Sequence, residues 1–391
     1  MKKLNVLLVS TLLLTMSCKG NSKKDTALLE DAATKTVIET TVLENRTKNT
    51  IKVALLLDTS NSMDGLIHQA KAQLWEIVNE LSYAKCDNEK PNLEIALYEY
   101  GNDNLPSSEG HIRQVLAFSS DLDEISEKLF SLTTRGGSEF CGHVIQTSMD
   151  QLDWGNNNKD LKLLFIAGNE PFTQGTVNYK NAITNALEKD VVVNTIFCGA
   201  YEQGISGMWK DGAMLGKGDY MTIAHTKSIV HVQTPYDKKI MEYNTQLNNT
   251  YIGYGKKGYL NTIRQSTQDA NAISVDEEIA VERAVSKSSS LYKNSSWDLV
   301  DAVENNEVKI EELTKDELPK ELKNKSKEEI AAYVKKQRDS RKEIQLKIRE
   351  LDTKRKSYIV DSKKGDPKKS DLESAMIKAI KTQAARKGYV W

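Results

Sequence analysis

The chain has 391 residues, 54 Lys and Arg against 55 Asp and Glu, and a formal net charge of −1. That balance excludes partners selected by whole-chain charge, nucleic acid first among them. An apolar fraction of 39% with a mean hydropathy of −0.52 excludes a multi-span membrane protein, and four cysteines are too few for a disulfide framework.

Met1-Lys2-Lys3 opens the chain, and an apolar run from Leu4 to Leu14 leads to Ser17-Cys18. A basic end, a short apolar stretch and a small residue before the break describe a secretory signal over residues 1–17. The run is about half the ~20 residues that a spanning helix needs. Cys18 at this place resembles the lipidated cysteine of bacterial lipoproteins. The resemblance implies a lipid anchor at the bacterial cell envelope, facing the periplasm or the exterior. Residues 18–49 are rich in Lys, Asp, Glu, Thr and Asn, the composition of a flexible tether.

Ile51–Leu57 is nearly all apolar, as in strands buried on both faces of a parallel sheet. Residues 65–83 carry Ile67, Ala70, Leu74, Ile77, Val78 and Leu81 at helical spacing. Strand patterns follow at Leu93–Tyr100 and Gln114–Phe118, then helical ones at Leu122–Leu132 and Val144–Leu152. Leu161–Ala167 and Val191–Phe197 are two more buried strands, with a helix at Tyr179–Leu187 between them and a fourth or edge strand at Tyr220–Ile223. This alternation predicts an α/β fold: a doubly wound, mostly parallel sheet with helices on both faces. In such sheets ligands sit beyond the carboxyl ends of the strands, which directs attention to Asp58, Asn169 and Cys198.

After the first strand the chain reads Asp58-Thr59-Ser60-Asn61-Ser62-Met63. In extended backbone, alternate side chains point the same way, so Asp58, Ser60 and Ser62 can present one carboxylate and two hydroxyls to a single point. Hard oxygens in a compact set suit Mg²⁺.

The motif, at the end of a buried first strand and before a helix, resembles the metal-ion-dependent adhesion site (MIDAS) of the von Willebrand factor type A (VWA) family. The resemblance covers residues 50–255. It implies two further loops at the site, one giving a threonine and the other an aspartate. In the loop Arg135-Gly136-Gly137-Ser138-Glu139-Phe140, Ser138 falls where the threonine would be, with Thr133 or Thr134 as alternatives. In Gly168-Asn169-Glu170-Pro171, Asn169 stands where the family has aspartate. An amide brings no charge, so a weaker site for Mg²⁺ or Mn²⁺ is expected, unless Glu170 supplies the charge. The resemblance implies binding rather than catalysis: the metal keeps an open position for an acidic side chain of a protein partner.

Cys141 opens a helix, and Cys198 ends a strand, both at the metal end of the sheet. A disulfide between them and two buried free thiols are both open readings. No phosphate loop, nucleophile elbow or zinc motif is present, and no catalytic residue is assigned. Residues 256–325 read as a connecting segment, whose parts resemble segments of secreted bacterial proteins that append helices to this domain. Residues 326–391 read as a charged helical extension. Ser326-Lys327-Glu328-Glu329 forms a capping box, and Ile330, Val334, Ile344, Ile348, Leu351 and Tyr358 fit a coiled-coil repeat interrupted by Gln337, Arg341 and Arg355. A second box at Ser370–Glu373 opens a last helix, with Gly388 as its stop. The expected protein is a lipid-anchored envelope protein that binds a protein through divalent metal. The alternative is a metal-independent scaffold acting through the domain surface and the C-terminal helices.

Overall fold

β1 (Thr50–Asp58), the first apolar run, lies between β3 (Asn92–Tyr100) and β5 (Leu161–Gly168), parallel to both. β4 (Ile112–Ser119) pairs antiparallel with the outer edge of β3. β6 (Val192–Cys198) and β7 (Lys217–Ile223) continue the parallel sheet beyond β5, giving the order β4-β3-β1-β5-β6-β7. A small antiparallel pair joins β2 (Lys85–Cys86) to β8 (Tyr389–Val390). The computed structural model describes residues 48–223, 232–363 and 372–391, and Lys48–Trp391 forms one compact unit. The expected signal, tether and lipidation at Cys18 lie outside the described residues, as does the second capping box.

The alternation of side chains along each strand sorts the core into two. Val53, Leu57, Ile95, Leu97, Leu163 and Phe165 face helices α1 (Asp64–Leu81) and α2 (Leu122–Phe130). Leu56, Tyr98, Tyr100, Leu164 and Ile166 face α3 (Cys141–Gln151) and α4 (Tyr179–Glu188). α1 is held by Ile67, Leu74, Trp75, Val78 and Leu81, all buried, the large aliphatic ones worth about 1.5–3 kcal/mol each. The structure adds the strand order, and the mostly parallel sheet follows the alternation read from the sequence. Two short helices escaped it: α5 (Tyr201–Ser206) and α6 (Trp209–Leu215).

Residues 256–325 are more than a connector. α7 (Asp237–Asn248), α8 (Gly255–Val275), α9 (Glu277–Lys287) and α10 (Leu299–Glu304) build a helical layer in which α8 packs on α2, and α9 on α1. α11 (Lys327–Lys363) begins at the expected capping box, where the Ser326 N–H donates to Glu329 Oε2 (2.7 Å) and the Glu329 N–H to Ser326 Oγ (3.2 Å). Its seam residues Ile330, Val334, Ile344 and Ile348 are buried against the rest of this layer. α12 (Leu372–Ala385) then packs on β7 and α1 and ends ahead of Gly388, whose φ is +81°.

The arginines that interrupt the seam are buried rather than solvated. Arg341 lies 2.7 Å from Asp298 and 2.5 Å from Asp301, with its guanidinium over the Tyr251 ring. Arg355 lies 3.0 Å from Asp237 and 2.8 Å from Glu278, and also contacts Glu282. Deeper in the layer, Arg283 pairs with Asp123 (2.8 Å) and Asp269 (2.6 Å), and Lys287 with Asp269 (2.9 Å). A cation taken from water without a partner costs several kcal/mol, so these pairs dictate how α7, α9, α10 and α11 meet.

Candidate metal centre

The register sets Asp58 beside Tyr100, and the preceding Leu57 beside Ala167. Three loops therefore converge where β1, β3 and β5 end. In the first, the Asp58 carboxylate is fully buried and its Oδ1 accepts the Ser60 N–H at 2.7 Å. Thr59 points the other way, toward Glu99, as alternation requires. Ser60 Oγ and Ser62 Oγ lie 3.2 Å apart, and Asn169 Nδ2 donates to Ser62 Oγ at 3.1 Å. The structure thus brings Asp58, Ser60, Ser62 and Asn169 together.

The Ser138 side chain is exposed, and among the described residues no hydrogen bond joins it to this group. The buried residue of that loop is Glu139, whose carboxyl lies within hydrogen-bonding reach of Asp58 and Ser60. The two loops are locked in place by backbone bonds, Arg135 N–H to Thr59 C=O (2.9 Å) and Asp103 N–H to Gly136 C=O (2.7 Å). The Glu139 N–H is fixed by Gln174 Oε1 at 3.0 Å. The alternatives also lie elsewhere: Thr133 is exposed, and Thr134 Oγ1 bonds to Asp64. The sequence signal for Glu139 was present. It is the one acidic residue of the glycine-rich loop, adjacent to the position selected. Glu170 acts on this site in two ways: its backbone N–H supports the Glu139 carboxylate, and its own negative charge is felt by Glu139.

Room for two carboxyls comes from glycine. Gly101 has φ +78°, and a Cβ there would lie 2.7 Å from Glu139 Cγ and 2.9 Å from Asp58 Oδ1. Burial, followed by the hydrogen bond and charge of Glu139, pushes the Asp58 carboxyl well above its usual range, although Ser60 opposes this. Glu139 is also raised, by burial.

As carboxylates neither residue can donate to the other. With both acids ionised, Asp58 Oδ2, Glu139 Oε2 and Asn169 Oδ1 find no donor among the described residues and no cationic side chain pairs with either acid; only a shared proton would join the two carboxyls. Two carboxylates, one amide oxygen and two hydroxyls form an all-oxygen set with three unused acceptors. That chemistry fits a hard divalent cation.

Cys141 and Cys198 are free and do not form the disulfide. They lie in the cores on opposite sides of the sheet, Cys141 as the first residue of α3 and Cys198 on the side covered by α1. Cys141 Sγ lies 3.8 Å from the Tyr100 hydroxyl, and burial pushes both thiols up, away from nucleophilic use.

Beside Asn169 an open groove of about 540 Å³ runs past Pro171, Thr173, Phe197, Glu202 and Gln203. Its walls are joined by Trp209 Nε1–H to Glu170 C=O (2.8 Å) and Phe172 N–H to Gly207 C=O (2.8 Å). Tyr201 and Met208, each about half exposed, flank it in sequence.

No protein-family model matches the chain, and no curated protein matches it. Among solved structures it is similar to the SpRpn10 VWA domain, at 15% identity and a TM-score of 0.35, covering 46% of this chain and 91% of that one. It is similar to an aerotolerance-related membrane protein from Bacteroides fragilis, at 16% identity and a TM-score of 0.29, covering 44% and 91%. A further similar structure is proximal thread matrix protein 1 from the mussel byssus, with a zinc-occupied MIDAS motif, at 11% identity and a TM-score of 0.34. The match covers 50% of this chain and 44% of that one. The fold itself is a six-stranded, mostly parallel sheet, covered on both faces and continued into a helical C-terminal region.

Proposed function

We propose that this chain is a lipid-anchored envelope protein that binds a protein partner through a divalent cation at the carboxyl end of its sheet. Asp58, Glu139 and Asn169 would hold the ion, with the Ser60 and Ser62 hydroxyls completing the set. The observation that carries this reading is the trio of buried oxygens without partners on those three residues. Mg²⁺ or Mn²⁺ supplies, when bound, an electropositive position open to an acidic side chain of the partner. The residues of the chain do the rest. Glycines bring the two carboxyls together, the Ser60 N–H orients Asp58, and the Asn169 loop is fixed by Trp209 and Gly207. The groove beside Asn169 offers the partner a further surface around the acidic contact.

Glu139 in place of Ser138 changes the expectation about affinity. The carboxylate lost at Asn169 is regained from another loop, so the set keeps two acids. No catalytic role is assigned to the site. The scaffold reading through the C-terminal helices is weaker, because α11 spends Ile330, Val334, Ile344 and Ile348 on its own chain.

The test is thermal unfolding of the chain in chelator, Mg²⁺ and Mn²⁺, beside Asp58→Ala. Capture from an envelope extract is run under the same conditions. Metal binding only to the folded state adds about 2.7 kcal/mol at a hundred times its dissociation constant. The expected result is a rise in stability and a captured protein that both need metal and Asp58. Equal capture in chelator would remove the metal from the binding mechanism.

A further inference from the structure

The end of the sheet opposite the metal centre carries an electropositive face around the point where residues 1–47 join the folded chain. Lys48 precedes β1, and Asn49 C=O accepts the Asn92 N–H at 2.9 Å where β3 begins. Lys90 stands two residues before Asn92, and Lys293 Nζ donates to Asn92 Oδ1 at 3.3 Å. Lys85 pairs with Val390 in the small antiparallel ribbon. Arg349 of α11 completes the group, its guanidinium donating to Ser288 C=O at 2.6 Å.

All five side chains are exposed, and among the described residues none of them forms an ion pair with a carboxylate. Of the neighbouring acids, Asp87 is engaged with Lys159 at 2.5 Å and Glu94 with Lys52 at 3.5 Å, while Glu89 beside Lys90 and Glu307 near Lys293 offset part of the charge. The cations feel one another. Burial, followed by the charges of Arg349, Lys85 and Lys48, holds the Lys90 amine below its usual range, and burial and Lys48 do the same to Lys293. In a chain of net charge −1, five such groups around one end are a strong local asymmetry. Apolar side chains accompany them: Val390 is 58% exposed and Trp391 39%, and Leu346, one turn before Arg349, is 51% exposed.

We propose that this face docks on an anionic bilayer surface, with Lys48, Lys85, Lys90, Lys293 and Arg349 on the headgroups and Trp391 and Val390 at the interface. Charge complementarity favours that occupant, as does the attachment of the preceding 47 residues inside the face. A flexible tether leaves the orientation of the body free, and a basic patch on the folded residues is what would select one. Lysines and arginines near an anionic surface each add to attraction within a Debye length, and Trp suits the headgroup level. Docking there points the metal centre away from the membrane, about 26 Å along β1 at ~3.3 Å per residue. The proposal rests on the envelope-anchored reading for its setting, but the docking belongs to the folded residues themselves.

The experiment uses the full chain carrying Cys18→Ser, so that no acyl chain contributes. Co-sedimentation is measured with phosphatidylcholine vesicles and with vesicles containing 30% phosphatidylglycerol (~30%, a level that sets a strongly negative surface). The triple variant Lys85→Glu/Lys90→Glu/Lys293→Glu is run in the same background, with its melting curve as the folding control. The expected result is anionic-vesicle binding at least tenfold tighter for the parent than for the variant, lost as salt rises toward 0.5 M (about half-molar, where screening is nearly complete). Equal binding by parent and variant would overturn the proposal. So would parent binding to heparin without binding to vesicles, which would assign the face to a soluble polyanion. Mass analysis of the natural chain for acylation at Cys18 tests the anchored reading separately.

Discussion

Arg283, Lys287, Arg341 and Arg355 are as thoroughly buried as Asp58 and Glu139, yet the two groups are treated differently. Each of the four cations in the helical layer meets at least one carboxylate, and Arg355 meets three acidic residues at close range. At the end of the sheet, two acids face each other across Gly101 with no cationic side chain between them. The helical layer thus pairs its buried cations with acids, whereas the metal centre holds two buried acids without a cationic side chain among the described residues. The proposed cation would satisfy that excess of negative charge.

The comparison breaks most severely if a partner is removed from the paired side. Arg355→Ala leaves Asp237, Glu278 and Glu282 facing one another, and a loss of about 3–5 kcal/mol is expected in urea unfolding. Arg355→Lys should recover only part of it, because an ammonium cannot span three carboxylates as a guanidinium fork does. On the unpaired side the sign reverses. Glu139→Gln gives Asp58 an amide donor and removes a charge, so in chelator the variant should be more stable than the parent by about 1–3 kcal/mol. Its response to Mn²⁺ should be lost. A variant destabilised in chelator would show that Glu139 is already compensated.

The paired side also contains a titration that sharpens the contrast. Burial pushes Asp301 up to about 6; Arg341 opposes the rise and Asp298 adds to it. A carboxyl with a folded pKa above the unfolded value of ~3.9 binds more protons in the folded state between the two values. Its contribution is full below about pH 4 and is lost as pH rises through about 6, a change of about 3 kcal/mol at most. Urea midpoints of parent and Asp301→Asn between those pH values should diverge accordingly, with the flatter profile in the variant. The smallest effect concerns the amide at the metal centre. Asn169→Asp adds a third carboxylate and should tighten Mn²⁺ about tenfold, or about 1.4 kcal/mol, in a calorimetric titration.

Much of this was legible in the residues. Runs such as Ile51–Leu57 and Leu161–Ala167 suit the middle of a parallel sheet, but the alternation expected over Asp58–Ser62 holds only as far as Ser60; Asn61–Met63 forms a 3-10 turn that brings Ser62 beside Ser60. Glu139 stood out in the sequence as the one acid of its loop, but its inward orientation was not legible, because a glycine-rich loop has no period to show which of two neighbours turns inward. Only the tertiary bonds from Thr59 and Gln174 decide it. The helical layer was misread for a related reason. Arg341 and Arg355 look like breaks in an apolar seam, and their acidic partners lie 40 or more residues away in sequence. Cys141 and Cys198 end up at one end of the sheet, but on opposite faces of it, a distinction that position along the strand alone does not carry.

The most direct test of the central claim is Mn²⁺ binding followed by electron paramagnetic resonance on the full chain, beside Asp58→Asn and Glu139→Gln. The account predicts one tight ion per chain in the parent and none in either variant. Unchanged binding in both variants would place the ion elsewhere, and no binding by the parent would mean that the Asp58–Glu139 pair holds a proton instead of a metal.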